Sequence, residues 1–500
     1  MASGPYRILV GLVLLPGCAV APRPLPASVS DAAVRNRITA APEVVHKAEI
    51  VVSRADAPAG DIPTFTLTAA VEFALQNNPR LAVAAAAVAR AQGQETVAFA
   101  PFLPEIDLYT RTGVSSPTLG PGAPGPVGAI TAAGDGMHAY TQAEVGLQWT
   151  LYDFGRTSGK YNQAVTNQRI ADLRLGRARQ TVGFDVATAY VRVLLAQATA
   201  LEQEQTVRRA ESILKDTQAR REGGVADRDD VLRAEVQLAE FREALVLARE
   251  MEYDSVARLN NAMGRNAALP LKVLDWPTRP KFECSLVECL ETAASQRLEV
   301  RIARDAVAAA QFGLQAADAD FYPRIFVMAG VGNVSGDGVR TGWHEGAGLH
   351  LNQKLFAGHR RQGEAQVASA DVAAAAGTAQ SIFDNVSLEV NLAYRRLATT
   401  RERIGLTEPA VAQARENLRL VTVKYKNSDA TPTDIVDAET TLTRAVQRYN
   451  FAVYDYLTAL ARLEYTMGGP PGGVLEKAQD APSERPDSLP PPKPIEDQRP

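Results

Sequence analysis

The chain repeats itself once, almost end to end. "AQGQETVAFAPFLPEIDL" at 91–108 returns as "AQFGLQAADADFYPRIFV" at 310–327. "LYDFGR" from Leu151 returns as "LFAGHR" from Leu355, and "DVLRAEVQL" from Asp230 returns as "DIVDAETTL" from Asp434. Tyr190 matches Tyr394, and the pair Met263, Gly264 matches Met467, Gly468. The shift is about 219 residues before a Gly/Pro-rich insertion and about 204 after it. A period this long means a duplicated architectural unit and excludes a solenoid of short repeats.

Each copy reads as long helices around a hairpin. Helices are predicted over 69–99, 155–222 and 229–263, and again over 286–320, 358–426 and 433–467. Aromatics make up only 6% of a chain rich in Ala, Leu, Glu, Gln and Arg, which is the composition of long packed helices. The stretch 155–222 contains no Pro. At about 1.5 Å per residue it reaches about 100 Å if unbroken. Pro409 predicts a bend or break in its counterpart. Val231, Ala234, Leu238, Phe241, Leu245 and Ala248 keep a 3–4 spacing, as do Ile435, Ala438, Leu442, Ala445, Tyr449 and Ala452. Such narrow apolar seams suit a wall one helix thick, wet on both sides, better than a thick globular core.

Four strands are predicted, at 105–114, 142–151, 324–334 and 343–353. In the second, Ala143, Val145, Leu147, Trp149 and Leu151 share a face opposite Gln142, Glu144, Gln148 and Thr150. In the fourth, Trp343, Ala347, Leu349 and Leu351 oppose His344, His350 and Asn352, while Phe326 and Met328 blur the third. Each is about 10 residues, the length of a tilted strand that crosses a bilayer. Tyr140, Trp149 and Trp343 are candidates for the membrane interfaces. Pro104 and Pro323 end the incoming helices, so each copy climbs, crosses, returns and descends. Four strands leave two open edges, and unpaired backbone cannot face lipid. A closed membrane barrel needs about eight strands or more. One copy therefore cannot span alone. Three copies give about 12 strands around a lumen, whereas side chains fill a barrel of about eight.

The first 17 residues read as a lipoprotein-type signal, with Arg7, an apolar run over 8–15 and "LPGC" ending at Cys18, the expected lipid-bearing residue. Residues 18–64 read as a tether, 65–265 and 284–468 as the two copies, and 469–500 as a disordered Pro-rich tail. No later run of 18 apolar residues suggests a spanning helix. A net charge of −4 gives no reason to expect nucleic acid. Nothing has the HExxH, GxSxG or phosphate-loop pattern, so neither an enzyme, a cofactor nor a resident metal is expected. Cys284 and Cys289 flank a predicted helix start. Inside a regular helix a separation of five points the thiols apart, so a disulfide requires Cys284 to lie outside the first turn.

Together, "LTAAVEFALQNNPRL", "FLPEIDL", "LYDFGR", "TAYVRVL", "DVLRAEVQL" and the terminal "MG", with their second copies, resemble the TolC-type outer-membrane efflux duct family over about 65–468. The second copy departs in carrying Arg297, Leu298 where the first has Asn78, Pro79. The resemblance implies a homotrimer. Its mainly helical periplasmic barrel lies below a 12-stranded β-barrel in outer-membrane lipid. Two shorter helices would stack end to end to match one long one. It also implies a passive exit duct that works with a periplasmic adaptor and an inner-membrane pump. By resemblance, Asp434 and Asp437 form the periplasmic aperture. Asp434 is equally read as a helix N-terminal acid. Asp230 is a gate partner, through Arg233 or Arg228. Gly223, Gly224, Val225, Ala430 and Thr431 are the adaptor-contact tips. The alternative is a lipid-anchored periplasmic coiled-coil scaffold whose hairpins make protein contacts.

Overall fold

The computed structural model describes residues 62–115, 138–224, 226–276, 280, 282–336, 342–427 and 429–470. The chain divides after Ile62, and the elements below belong to the unit that begins at Pro63. Cys18 with its signal, most of the tether, the tail, Val225 and most of both hairpin loops lie outside the described residues.

The first copy runs β1 (Thr64–Phe65), α1 (Leu67–Asn77), α2 (Pro79–Phe99), a 3₁₀ turn, β2 (Glu105–Ser115), β3 (His138–Tyr152), α3 (Arg156–Glu222) and α4 (Arg228–Met263). After β4 (Lys272–Val273), the second runs α5 (Leu286–Gln296), α6 (Leu298–Asp318), a 3₁₀ turn, β5 (Arg324–Gly336), β6 (Gly342–Asn352), α7 (Arg360–Lys426) and α8 (Pro432–Met467). Helix lengths are 11, 21, 67 and 36 residues in both copies.

Where one helix was predicted over 69–99, and again over 286–320, there are two. Asn78 ends α1 in extended backbone, and its side chain caps α2 by accepting from the Arg80 amide at 2.9 Å. Pro79 then occupies the first helical position, where its missing N–H costs nothing. In the second copy Arg297 holds the same extended break without Pro. The two linkers serve one purpose. Asn78 Nδ2 donates to Ala262 O at 2.7 Å, and an Arg297 guanidinium N–H donates to Thr466 O at 3.2 Å. Each satisfies a carbonyl in the last turn of the 36-residue helix of its copy.

That contact is where two shorter helices meet. α3 packs against α2 and α6 in one half and against α4 and α8 in the other, and α7 is matched likewise by α6 and α8. The joint is tight. Gly264 and Gly468 end α4 and α8 at φ 78° and 83°. A Cβ on Gly264 would lie 2.8 Å from Asn77 O, and one on Gly468 would lie 3.0 Å from Arg297 Cα. Only glycine combines the left-handed backbone with this approach.

Pro409 does not break α7, which runs through it from Arg360 to Lys426. Ile404, Val411 and Ala414 stay buried on either side, so packing along the helix overrides the local cost. The main core lies at the waist, where α1 and α5 thicken the wall. Leu67 and Val71 of α1 pack with Val186, Tyr190 and Val193 of α3, Leu259 of α4, Cys289 of α5, Val390 of α7 and Leu460 of α8. One stretch of α3 is apolar enough by composition to cross a membrane. Val182, Val186, Val191 and Val193 in this helix are instead waist core. The Tyr190 hydroxyl ties the strap formed by β1 and β4: it lies 3.0 Å from Phe65 O and 2.6 Å from Leu274 O, and accepts from the Leu274 amide at 2.9 Å.

Strand order is β2-β3-β5-β6, antiparallel throughout, so among the described residues β2 and β6 are free edges. The turns from sheet to long helix use two successive left-handed residues, Phe154 (55°) and Gly155 (98°) in one copy, Gly358 (59°) and His359 (62°) in the other. Each copy relieves half the strain with its one glycine, at opposite positions.

Candidate functional site

The register sorts the sheet into two unlike faces. Ile106, Leu108, Val145, Leu147, Trp149, Val327, Ala329, Val331, Ala347, Leu349 and Leu351 project to one side. Several are bare: Ile106 is 65% exposed, Leu108 69% and Leu349 69%. A contiguous apolar surface of this kind on a sheet with polar residues behind it requires a non-aqueous neighbour. Sequence reading left out Glu345, which shares this face with Trp343 and pairs with Val331 near the loop end. Tyr140, expected at a lipid interface, belongs to the other face. It has the parity of Gln142 and Glu144, and its ring lies over Gly113 at 6% exposure.

The opposite face carries Glu105, Asp107, Tyr109, Arg111, Gln142, Glu144, Gln148, His344 and His350. Phe326 and Met328 also lie here, and Phe326 stacks on His350 with centroids 5.4 Å apart. Tyr109, Glu144, Gly332 and His344 form one cross-strand row. The His344 ring lies across Gly332, where a Cβ would come within 2.6 Å of Nε2. Gln142 Nε2 donates to Glu144 Oε2 at 3.1 Å, while Glu144 Oε1 and His344 Nε2 are buried without partners. At the helix end of the strands, Phe99, Phe102, Tyr152, Phe154, Tyr161 and Tyr322 form ring contacts of 4.7–5.7 Å. Trp149 Nε1 donates to Phe102 O at 2.9 Å. Aromatic rings gathered at one end of an amphipathic sheet suit a membrane–water interface.

At the other end stand two helical hairpin tips. Gly223 ends α3 and Gly224 follows at φ 72° in open space. Ala430 is half-buried, and Thr431 caps α8. Asp434 is held in that cap: its Oδ2 accepts from the Thr431 amide and hydroxyl, each at 2.8 Å. These hydrogen bonds hold its carboxyl below the usual carboxylate range. Asp437 lies one turn on, exposed on the same side. The Asp230–Arg233 pairing does not form in the protomer. Asp230 is taken by the α4 cap, accepting from the Asp227 amide at 3.3 Å, and Arg233 pairs with Asp229 at 3.3 Å. The helical register puts Arg233 four residues after Asp229, which is the favoured spacing.

Sequence reading missed a buried ionic junction between α3 and α8. Arg209 Nε donates to Glu439 Oε2 at 2.9 Å, and its Nη2 donates to Glu202 Oε1 and Thr206 Oγ1, each at 3.1 Å. Thr206 and Thr443 hydroxyls meet at 3.1 Å alongside. Glu439 is only 4% exposed. Burial, with Glu202 adding to it, raises the Glu439 carboxyl above its ordinary value despite Arg209. Arg209 goes up as well, because the two carboxylates outweigh its own burial. One guanidinium therefore serves two acids. The available signal was spacing: Glu439 is four residues after Ile435, on the apolar seam.

The architecture has known counterparts. The family model "outer membrane efflux protein" matches residues 70–265 and 289–469. The alkaline protease secretion protein AprF of Pseudomonas aeruginosa is 26% identical over 353 residues, spanning 66% of this chain and 69% of that protein. The outer membrane protein VceC of Vibrio cholerae superposes with a TM-score of 0.69 at 20% identity, over 81% of this chain and 96% of VceC. The CmeC outer membrane channel of Campylobacter jejuni gives 0.72 at 14% identity, over 83% and 89%. The scaffold alternative is thereby set aside. The relatives are transport proteins, and the chain is an outer-membrane exit channel that extends into the periplasm. A duplicated helix–hairpin–helix unit, an amphipathic four-stranded sheet and a family match over most of its length place this chain in the outer membrane efflux protein family.

Proposed function

We propose that three copies close one barrel of about 12 strands, and that this homotrimer is the passive duct of a tripartite export system. The carrying observation is the pair of free edges, β2 and β6. They run in opposite directions, so β6 of one copy beside β2 of the next continues the antiparallel order. The outer helices support the same assembly. Val236, Val246 and Met251 on α4 and Val367, Leu392 and Leu406 on α7 are each about 60–70% exposed, and both helices lie at the sides of the protomer. Large bare aliphatics on lateral helices call for a neighbour.

In this reading the face bearing Glu144 and His344 lines the lumen, and the apolar face meets outer-membrane lipid. Asp434 and Asp437 ring the periplasmic aperture and favour cationic solutes. Gly223, Gly224, Val225, Ala430 and Thr431 meet a periplasmic adaptor, which couples the duct to an inner-membrane pump as the source of energy. Cys18 carries the lipid anchor. The protein purified in detergent is expected to have the mass of three chains and to conduct ions across a planar bilayer. A monomeric mass with no conductance refutes the closure.

A further inference from the structure

The start of α5 combines three features in six residues. Ser285 is the N-cap, and it exchanges hydrogen bonds with Glu288: the Ser285 amide donates to Oε2 at 2.8 Å, and the Glu288 amide donates to Oγ at 3.3 Å. Cys284 therefore occupies the position before the cap, and Cys289 the fourth helical position. In many helices these two positions hold apolar side chains that pack together and fix the angle at which the chain enters. Here both are cysteines, and Cys284 lies outside the first turn, as a bridge requires. The Cys289 thiol donates to the Cys284 sulfur with the two sulfurs 3.1 Å apart.

We propose that Cys284 and Cys289 are joined by a disulfide in the periplasm, which makes this packing contact covalent and clamps the segment that enters the second copy. The segment matters because it threads the waist. Tyr454 donates to Asp275 Oδ2 at 3.2 Å and Tyr456 to Pro280 O at 2.8 Å. The geometry fixes the order of events. Cys289 is buried in the waist core, and burial and the Cys284 contact push its thiol up to about 12. Cys284 is half-buried at the edge of a cavity of about 370 Å³ walled by Tyr394, Leu397, Arg401 and Tyr456. The Cys284 thiolate attacks a disulfide supplied by an oxidised dithiol protein or small disulfide of the periplasm. One sulfur of that oxidant leaves as a thiolate. The Cys289 sulfur then attacks Cys284 in the mixed disulfide, and its proton passes to the second departing thiolate. Two protein thiols are oxidised and one oxidant disulfide is reduced to two thiols.

The placement of α5 on the periplasmic side underlies the proposal, but subunit number does not enter it, so a failed trimer test leaves it standing. Intact cells are acid-quenched, and the full-length protein is unfolded in an alkylating reagent without reductant. The peptide spanning 284–289 is then weighed. It is expected to be lighter than the dithiol by two hydrogens, to carry no alkyl group, and to take up two after reduction. Two alkyl groups before reduction, or linkage of either cysteine to another chain, overturns the proposal. The clamp has its own readout. Reductant is expected to lower the melting temperature of the wild type and leave that of the double variant Cys284→Ser, Cys289→Ser unchanged. A wild type insensitive to reductant overturns the clamping role.

Discussion

Replacing Arg209 with Met isolates the ionic junction between α3 and α8. The methionine fills much of the same volume but withdraws the one cation that serves two carboxylates. The side chains of Glu439 and Glu202 are 5% and 10% exposed, so water cannot replace it without opening the interface. Removing one partner of a buried ion pair costs about 3–5 kcal/mol. A partner shared by two acids belongs at the upper end, moderated by the 29% exposure of Arg209. Because unfolding of so long a chain is not all-or-none, the readout is local: hydrogen exchange in peptides covering the first turns of α8. At about 1.4 kcal/mol per decade, protection there falls by about two to three and a half orders of magnitude. Glu439→Gln behaves differently. It keeps an acceptor for Arg209 and removes the charge whose burial is unfavourable, so protection stays within about fivefold of wild type and the exchange defect of Arg209→Met is partly rescued in the double variant. The pH response has a definite sign. A carboxyl raised in the folded state favours folding in its protonated form. Its contribution is complete below the unfolded value of about 4.3 and fades as pH rises through the raised folded value. Glu439→Gln abolishes that dependence. A loss of less than about fivefold in Arg209→Met, or equal losses in both variants, refutes the reasoning.

Tyr190→Phe removes the hydroxyl that ties β1 and β4 to α3, costing about 1–3 kcal/mol; increased exchange confined to residues near Phe65 and Leu274 verifies it. Gly468→Ala meets both a φ of 83° and a backbone contact at 3.0 Å, so it lowers the melting temperature. Gly377→Ala, in open space within α7, raises stability by about 0.5–1 kcal/mol. Asp437→Asn weakens the cation preference of the conducting channel, measured as a reversal potential in a salt gradient. It leaves the melting temperature unchanged, because Asp437 is exposed and its side chain caps nothing.

The long helices, the hairpins and the duplication were legible because they rest on periodicity, which any local window carries. The breaks at Asn78 and Arg297 were harder. "NP" announces a cap followed by a first helical position, but nothing local to "RL" says that Arg297 must reach Thr466, 169 residues away. The same limit hid Arg209, one arginine among many on helices that read as wet; its importance comes from Glu439, 230 positions on. Pro409 shows the converse. Its local signal was real, and long-range packing overrode it. At the cysteines, sequence supplied the spacing and the condition, and the Ser285 cap decided that Cys284 lies outside the helix.

The duplication itself separates architecture from function. Where both copies face one physical demand, they solve it with different residues of equal effect. Asn78 and Arg297 both reach a carbonyl in the last turn of a long helix. Phe154, Gly155 and Gly358, His359 each place one glycine in a doubly left-handed turn. Asp230 and Asp434 both close a cap. One turn beyond those caps the equivalence fails: Arg233 in the first copy stands where Asp437 stands in the second. Both are exposed, and neither side chain satisfies a backbone group of its helix end. The exposed Arg233–Asp229 pair adds only about 0.2–0.5 kcal/mol, so helix stability asks little for opposite charges there. A difference that folding does not require, placed beside the tips expected to meet the pore and its partner, is the kind that transport selects. On the proposed reading, Asp437, more than Asp434, is therefore the residue whose charge serves the aperture, and the Asp437→Asn measurement above tests it.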